Sequence, residues 1–118
     1  MTKICVVGLG YVGLPLAIEF ARVFDTVGFD VNEKKVKELN SGIDKMDEVS
    51  SEELKNTELK FTTDPSLIKE CDFVVVAVPT PIDDSLKPDL KYVKGASEIV
   101  GRNLAKDSIV VYESTVYP

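Results

Sequence analysis

Three glycines in the run Gly8-Leu9-Gly10-Tyr11-Val12-Gly13 follow a short apolar segment and precede a helical pattern. Glycine tolerates sharp turns and close approach by another backbone or a ligand, so each of the three has a separate use. Gly8 permits a strand-to-helix turn, Gly10 lets the backbone approach a diphosphate, and Gly13 lets the helix lie close on a sheet. Free N–H groups at the helix start, at the positive end of its macrodipole, then bind the anion without a basic side chain. The bland alternative is a turn that only packs helix on strand. Chance produces this spacing in about one chain in twenty-five of this length, so its position between a strand and a helix carries the reading.

An acidic residue about twenty positions further on, at the end of the second strand, completes a dinucleotide fingerprint. Asp30 stands there, after Thr26 to Phe29, and is expected to grip the adenosine ribose hydroxyls. A carboxylate about 4 Å from a 2′-phosphate meets a repulsion of roughly 4 kcal/mol per unit charge pair at an effective dielectric near 20, which selects NAD over NADP. Lys34 and Lys35 stand beside it. They pair with a 2′-phosphate, sit beside the ribose and diphosphate of NAD, or belong to a solvated helix face. Two further segments leave strand ends. Thr80, in Val78-Pro79-Thr80-Pro81, is placed to reach cofactor ribose or diphosphate, with two prolines stiffening the turn. Thr115, in Glu113-Ser114-Thr115, either bonds a water or substrate oxygen near the nicotinamide or caps a following helix. Asp83 and Asp84 are expected to face solvent.

The remaining residue types narrow the chemistry. Histidine is absent, which removes the commonest metal ligand and the usual triad base, and no metal site is expected. Cys5 and Cys71, the only cysteines, lie in or beside strand patterns and read as small buried hydrophobes. Lys and Arg number 14 against 20 Asp and Glu, a net charge of −6 that disfavours duplex nucleic acid as a partner. The N-terminus carries no basic leader followed by an apolar stretch, and the longest apolar run, Phe73 to Pro79, is of strand length. A cytoplasmic location with no membrane span is expected.

These residues need elements to position them, and 118 residues at 44% hydrophobic and 29% charged suit one soluble domain. Strands are expected over Lys3 to Val7, Thr26 to Val31, Leu59 to Thr62, Phe73 to Val78 and Ser108 to Tyr112. Helices are expected from Tyr11 to Phe24, from Asn32 to a stop at Gly42, for one to two turns after Asp64-Pro65, and from Asp89 to Leu104. In the last of these Leu90, Val93, Val100 and Leu104 share a face. The stretch from Ile43 to Asn56 is polar and ambiguous. Alternating strands and helices imply an α/β doubly wound parallel sheet of Rossmann type, with the ligand where strand order reverses between the first and fourth strands. Five strands where six are usual, and a first helix apolar around most of its circumference, imply a piece of something longer.

The run Gly8-Leu9-Gly10-Tyr11-Val12-Gly13-Leu14-Pro15-Leu16-Ala17 resembles the fingerprint GxGYVGLPLA of the UDP-glucose/GDP-mannose dehydrogenase family. Proline so early in a helix is unusual, since it removes one helical hydrogen bond and disfavours helical geometry at Leu14. The resemblance continues through Gly28-Phe29-Asp30-Val31-Asn32, Val78-Pro79-Thr80-Pro81 and Glu113 to Pro118, and covers the whole chain. Lys87-Pro88-Asp89-Leu90 and the Glu-Ser-Thr-Val-Tyr-Pro ending look most like the branch acting on UDP-N-acetylhexosamines for surface polysaccharides.

The resemblance implies oxidation of a nucleotide-sugar C6 hydroxyl to a carboxylate in two NAD-dependent steps, through a thiohemiacetal on a cysteine of a later domain. It also implies diphosphate contacts from Gly8, Gly10, Tyr11, Val12 and Gly13, ribose contacts from Asp30 with Lys35 nearby, and Thr80 and Thr115 at the inner cofactor, Thr115 assisting near the catalytic water. Residues 1–118 then form the NAD-binding domain of a homodimeric enzyme and do not turn over substrate alone, because neither Cys5 nor Cys71 matches the nucleophile. UDP-glucose 6-dehydrogenase, another Rossmann oxidoreductase, and an NAD-sensing regulatory module without catalysis are the competing readings. A reading frame continuing past Pro118 into a cysteine-bearing domain separates the enzyme from the regulatory module.

Overall fold

A parallel sheet covered on both sides buries its central strands twice over, which is why such strands read as unbroken apolar runs. The computed structural model describes residues 2–79 and 90–113. In it β1 (Lys3–Val7), β2 (Asp25–Phe29), β3 (Lys60–Thr62), β4 (Phe73–Val76) and β5 (Ile109–Tyr112) pair in the order β3-β2-β1-β4-β5. Every pair is parallel. Strand alternation sends Ile4, Val6 and Val75 to one face and Cys5, Val7, Val74 and Val76 to the other. The first face packs on Leu14, Ala17 and Ile18 of α1 (Gly13–Ala21), and beyond them on Val36, Leu39 and Leu54. The second packs on Ile68 of a 3-10 helix (Pro65–Glu70) and on Ala96 and Val100 of α4 (Lys91–Asn103).

Local chemistry explains most element ends. Asn32 caps α2 (Glu33–Asn40), its side chain accepting from the Lys35 N–H at 3.1 Å. Gly42, at φ +83°, closes α2 as expected: its N–H donates to Leu39 O and the Ile43 N–H to Glu38 O, a Schellman arrangement. Asp64 caps the 3-10 helix through the Ser66 N–H, and Pro65 takes its first position.

Several expected boundaries shift. α1 spans Gly13–Ala21 rather than Tyr11 to Phe24, because residues 22–24 turn back on Glu19 and Phe20 carbonyls so that β2 can begin at Asp25. Pro15 raises no conflict with helix at Leu14. It is the third residue of α1, in the first turn, where amides have few helical acceptors to lose. β2 ends at Phe29, although the Asp30 N–H still donates to Thr62 O at 3.1 Å, so Asp30 sits at the sheet's carboxyl edge. β4 stops at Val76, although the Ala77 N–H still donates to Val7 O at 2.8 Å. The ambiguous stretch contains α3 (Ser51–Asn56), opened by a capping box between Ser50 and Glu53. In α4 the core positions are Ala96 and Val100. Leu90 precedes the helix and is 60% exposed, not part of its buried face. Thr80, Asp83, Asp84, Asp89 and Thr115 lie outside the described residues.

On the α1 side of the sheet, Phe73, Ile109 and Val111 of β4 and β5 stand exposed, and Leu16 and Phe20 of α1 are only partly buried. The apolar circumference noted for the first helix is thus covered on the sheet side by Leu14, Ala17 and Ile18 and open elsewhere.

The glycines of the turn differ in what surrounds them. A Cβ on Gly13 would overlap the Gly8 carbonyl and press on Ala77, whereas a Cβ on Gly10 would meet nothing within 4 Å. Urea denaturation is expected to show Gly13→Ala destabilised by about 1–3 kcal/mol through overpacking. Gly10→Ala, freed of that clash, is expected to match the wild type or gain up to about 1 kcal/mol.

Candidate cofactor-binding site

The strand-to-helix turn is built from the sheet outward. Gly8 adopts φ +98°, where other residues are strained, and its N–H donates to Phe29 O at 2.8 Å. Leu9 turns its side chain into the core, fully buried, against Gly28, whose missing side chain makes the room: a Cβ there would sit 2.9 Å from Leu9 Cδ2. The Leu9 N–H donates to Asp30 Oδ2 at 2.9 Å, and the Asn32 N–H donates to Asp30 Oδ1 at 2.9 Å. One carboxylate therefore joins the entrance of α1 to the cap of α2.

Beyond Leu9 the pattern changes. Among the described residues no acceptor faces the N–H groups of Gly10, Tyr11, Val12 or Gly13, while the Leu14 N–H bonds Gly10 O at 3.1 Å. Tyr11 and Val12 extend into solvent. The Gly10, Tyr11 and Val12 amides thus precede the nine-residue helix without an acceptor among the described residues, and a Cβ on Gly10 would enter open space, whereas Gly13 packs against the Gly8 carbonyl.

That space is a groove of about 760 Å³ along the carboxyl ends of β1, β2 and β4, a size that suits an extended organic ligand. The turn and Asp30 form its floor. Asn32, Lys35 and Met46 close one end, and Val78, Pro79, Tyr92, Gly95 and Ile99 form the far wall, with Glu113 of the β5 end nearby. β1 pairs with both β2 and β4 here, so the groove opens where strand order reverses, as the sequence implied.

Of the two lysines only Lys35 lines the groove, its Nζ 3.6 Å from Met46 Sδ; both border a smaller neighbouring pocket with Lys45. Met46 is held there by Asp44, whose carboxylate accepts the N–H groups of Met46, Glu48 and Val49, and by a 2.8 Å ion pair between Lys45 and Glu38. Met46, Tyr92 and Gly95 escaped the sequence reading. Gly95 left a signal, since glycine inside a helix is costly unless something approaches closely.

Cys5 and Cys71 meet in the core of the second face, away from the groove. Hydrogen bonding to Cys71 and burial together push the Cys5 thiol well above its ordinary range. Among the described residues no three acidic, cysteine or histidine side chains could hold a metal, and no helix is long and apolar enough to cross a membrane.

The groove, the amide-lined turn and the acidic residue at the β2 end define a dinucleotide-binding α/β domain of Rossmann type. Residues 2–118 match the UDP-glucose/GDP-mannose dehydrogenase family, NAD binding domain, and the chain belongs to that family. It is 53% identical over 117 residues to a UDP-N-acetyl-D-glucosamine 6-dehydrogenase of Salmonella typhi, covering 98% of this chain and 28% of that protein. It is 51% identical over 116 residues to protein CapL of Staphylococcus aureus, covering 98% and 27%. Among solved structures, a UDP-D-ManNAc dehydrogenase from Pyrococcus horikoshii superposes with a TM-score of 0.87 at 34% identity, over 99% of this chain and 29% of that one. The chain spans between a quarter and a third of the length of these relatives.

The hydrogen bond with Cys5 lowers the pKa of the Cys71 thiol while raising that of Cys5, so burial, at 0% and 2% exposure, is what withholds both thiols from attack. Ellman's reagent is expected to leave both cysteines unmodified in the folded chain at mildly alkaline pH and to titrate both after denaturation. Rapid labelling of the native chain contradicts this assignment.

Proposed function

We propose that this chain is the NAD-binding domain of a longer nucleotide-sugar 6-dehydrogenase, acting on a UDP-N-acetylhexosamine for surface polysaccharide synthesis. The single observation that carries the cofactor assignment is the run Gly10, Tyr11 and Val12, which lines the groove with Asp30 and whose N–H groups have no acceptor among the described residues. The groove fits NAD by its own geometry: donors without acceptors at a helix start suit a diphosphate, and the bare Gly10 leaves room for it. Asp30 accepts one N–H on each oxygen, so each oxygen keeps a lone pair for a ribose hydroxyl. Lys35 stands beside that ribose, and the apolar wall of Tyr92, Gly95 and Ile99 receives the adenine. Thr80 and Thr115 are assigned to the inner cofactor, and Thr115 to the catalytic water, on family resemblance.

NAD, when bound, accepts hydride from the sugar C6. The residues of this chain bind and orient it, and a nucleophilic cysteine, the sugar pocket and the dimer contacts belong to further domains. The substrate class rests on relatives at 51–53% identity that are named for UDP-N-acetyl-D-glucosamine, against 37% for a UDP-glucose 6-dehydrogenase of Bacillus subtilis. Two unpaired, buried thiols agree with a reducing, cytoplasmic setting. A homodimeric parent without nucleic-acid partners completes the proposal.

Calorimetric titration of NAD and NADP into the chain is expected to favour NAD by at least tenfold. Asp30→Ala is expected to weaken NAD by about 10- to 100-fold, the range for losing hydrogen bonds to a charged group. Equal affinity for the two cofactors in the wild type overturns the role given to Asp30. Assay of the full-length protein on a panel of UDP-sugars tests the substrate: the proposal requires faster NADH formation with UDP-N-acetylhexosamines than with UDP-glucose, and none from residues 1–118 alone.

A further inference from the structure

The backbone of the glycine turn has two ties to the neighbouring strand: Gly8 N–H to Phe29 O and Leu9 N–H to Asp30 Oδ2. The first belongs to the extension of β1–β2 pairing. The second is a side-chain bond, and it sits immediately before amides that have no acceptor among the described residues. The same carboxylate accepts the N–H of Asn32, the residue that caps α2 and receives the Lys35 N–H on its own side chain. A single carboxylate thus fastens the starts of two of the helices that border the groove, α1 and α2. It lies between two positive helix ends, where a negative charge is favoured.

We propose that Asp30 is a positioning residue for the diphosphate cradle as well as a ribose ligand, holding the Leu9 amide so that the next three amides, of Gly10, Tyr11 and Val12, stay at the groove. Occupying Leu9 N–H removes it from the donor set and fixes the peptide plane from which Gly10 continues. Without the carboxylate, the partly buried Leu9 N–H loses its acceptor and the turn relaxes to find another. The buried Leu9 side chain anchors one end of the segment and Gly13, packed against Gly8 O, anchors the other, so the relaxation falls on Gly10, Tyr11 and Val12. The claim deepens the cofactor reading, and its first test needs no ligand.

The sign of one effect separates positioning from simple electrostatics. Asp30 brings a negative charge to an anion site, so deleting it should tighten diphosphate binding if the carboxylate did nothing else. Positioning predicts the reverse. Residue-resolved amide exchange is measured by NMR on the cofactor-free wild type, Asp30→Ala and Asp30→Asn. In Asp30→Ala the Leu9 and Asn32 amides are expected to exchange about tenfold faster or more, with the core amides of Val6 and Val75 unchanged. Asp30→Asn, with one acceptor oxygen in place of two, is expected to protect only one of the pair.

Inorganic pyrophosphate, which has no ribose, is then titrated into each form and is expected to bind Asp30→Ala several-fold more weakly despite the lost charge. Unchanged Leu9 exchange in Asp30→Ala overturns the proposal, as does pyrophosphate binding that is unchanged or tighter. If Val6 and Val75 lose protection in Asp30→Ala, the fold has failed and Asp30→Asn decides by the same two readings. If the wild type binds neither pyrophosphate nor NAD, the cofactor reading falls, and the Leu9 exchange result alone judges the role of Asp30.

Discussion

Backbone amides that lack an acceptor are the constraint around which this molecule is arranged. A helix necessarily begins with N–H groups it cannot satisfy, and here the start of α1 opens at the carboxyl edge of a parallel sheet, among β1, β2 and β4. Water satisfies those groups cheaply, and an anion satisfies them better because the helix dipole adds to each hydrogen bond. The three glycines serve the same end by different means. Gly8 turns the chain at positive φ, Gly13 brings the helix onto the sheet, and Gly10 leaves the amides uncovered.

Around that row, the surrounding groups work by restricting motion more than by adding charge. Asp30 ties the turn to α2, Leu9 plugs the space left by Gly28, and Asp44 holds the loop that sets Met46 against Lys35. A ligand entering such a groove meets groups already in place, so little ordering entropy opposes its binding. Lys35 in the groove lining rests its ammonium on the Met46 thioether.

The rest of the fold is support with one side unfinished. The second face of the sheet is closed by the 3-10 helix and α4 around two fully buried thiols. The first is closed only over β1, β2 and part of β4, with Phe73, Ile109 and Val111 left exposed beyond α1. The matched relatives are between three and four times as long as this chain.

Much of this was legible in the residues. The strand runs, the caps at Asn32 and Asp64, the stop at Gly42 and the glycine turn depend on neighbours within a few positions, and local physics is enough to read them. The capping box at Ser50 and Glu53 was equally local, yet lay in a polar stretch whose only buried helical residue is Leu54, so periodicity gave it no support. The ends of α1 and β2 were misplaced because the apolar pattern runs on past Ala21, and only the need to reach β1 in parallel makes the chain turn there. By itself the sequence determined the order of most elements and the glycine turn that opens the first helix. Only the tertiary structure decided that Asp30 holds Leu9, that Met46 meets Lys35, that Cys5 meets Cys71 and that Gly95 borders the groove, because such contacts depend on strand order and crossover direction, which bring distant residues together through space and not along the chain.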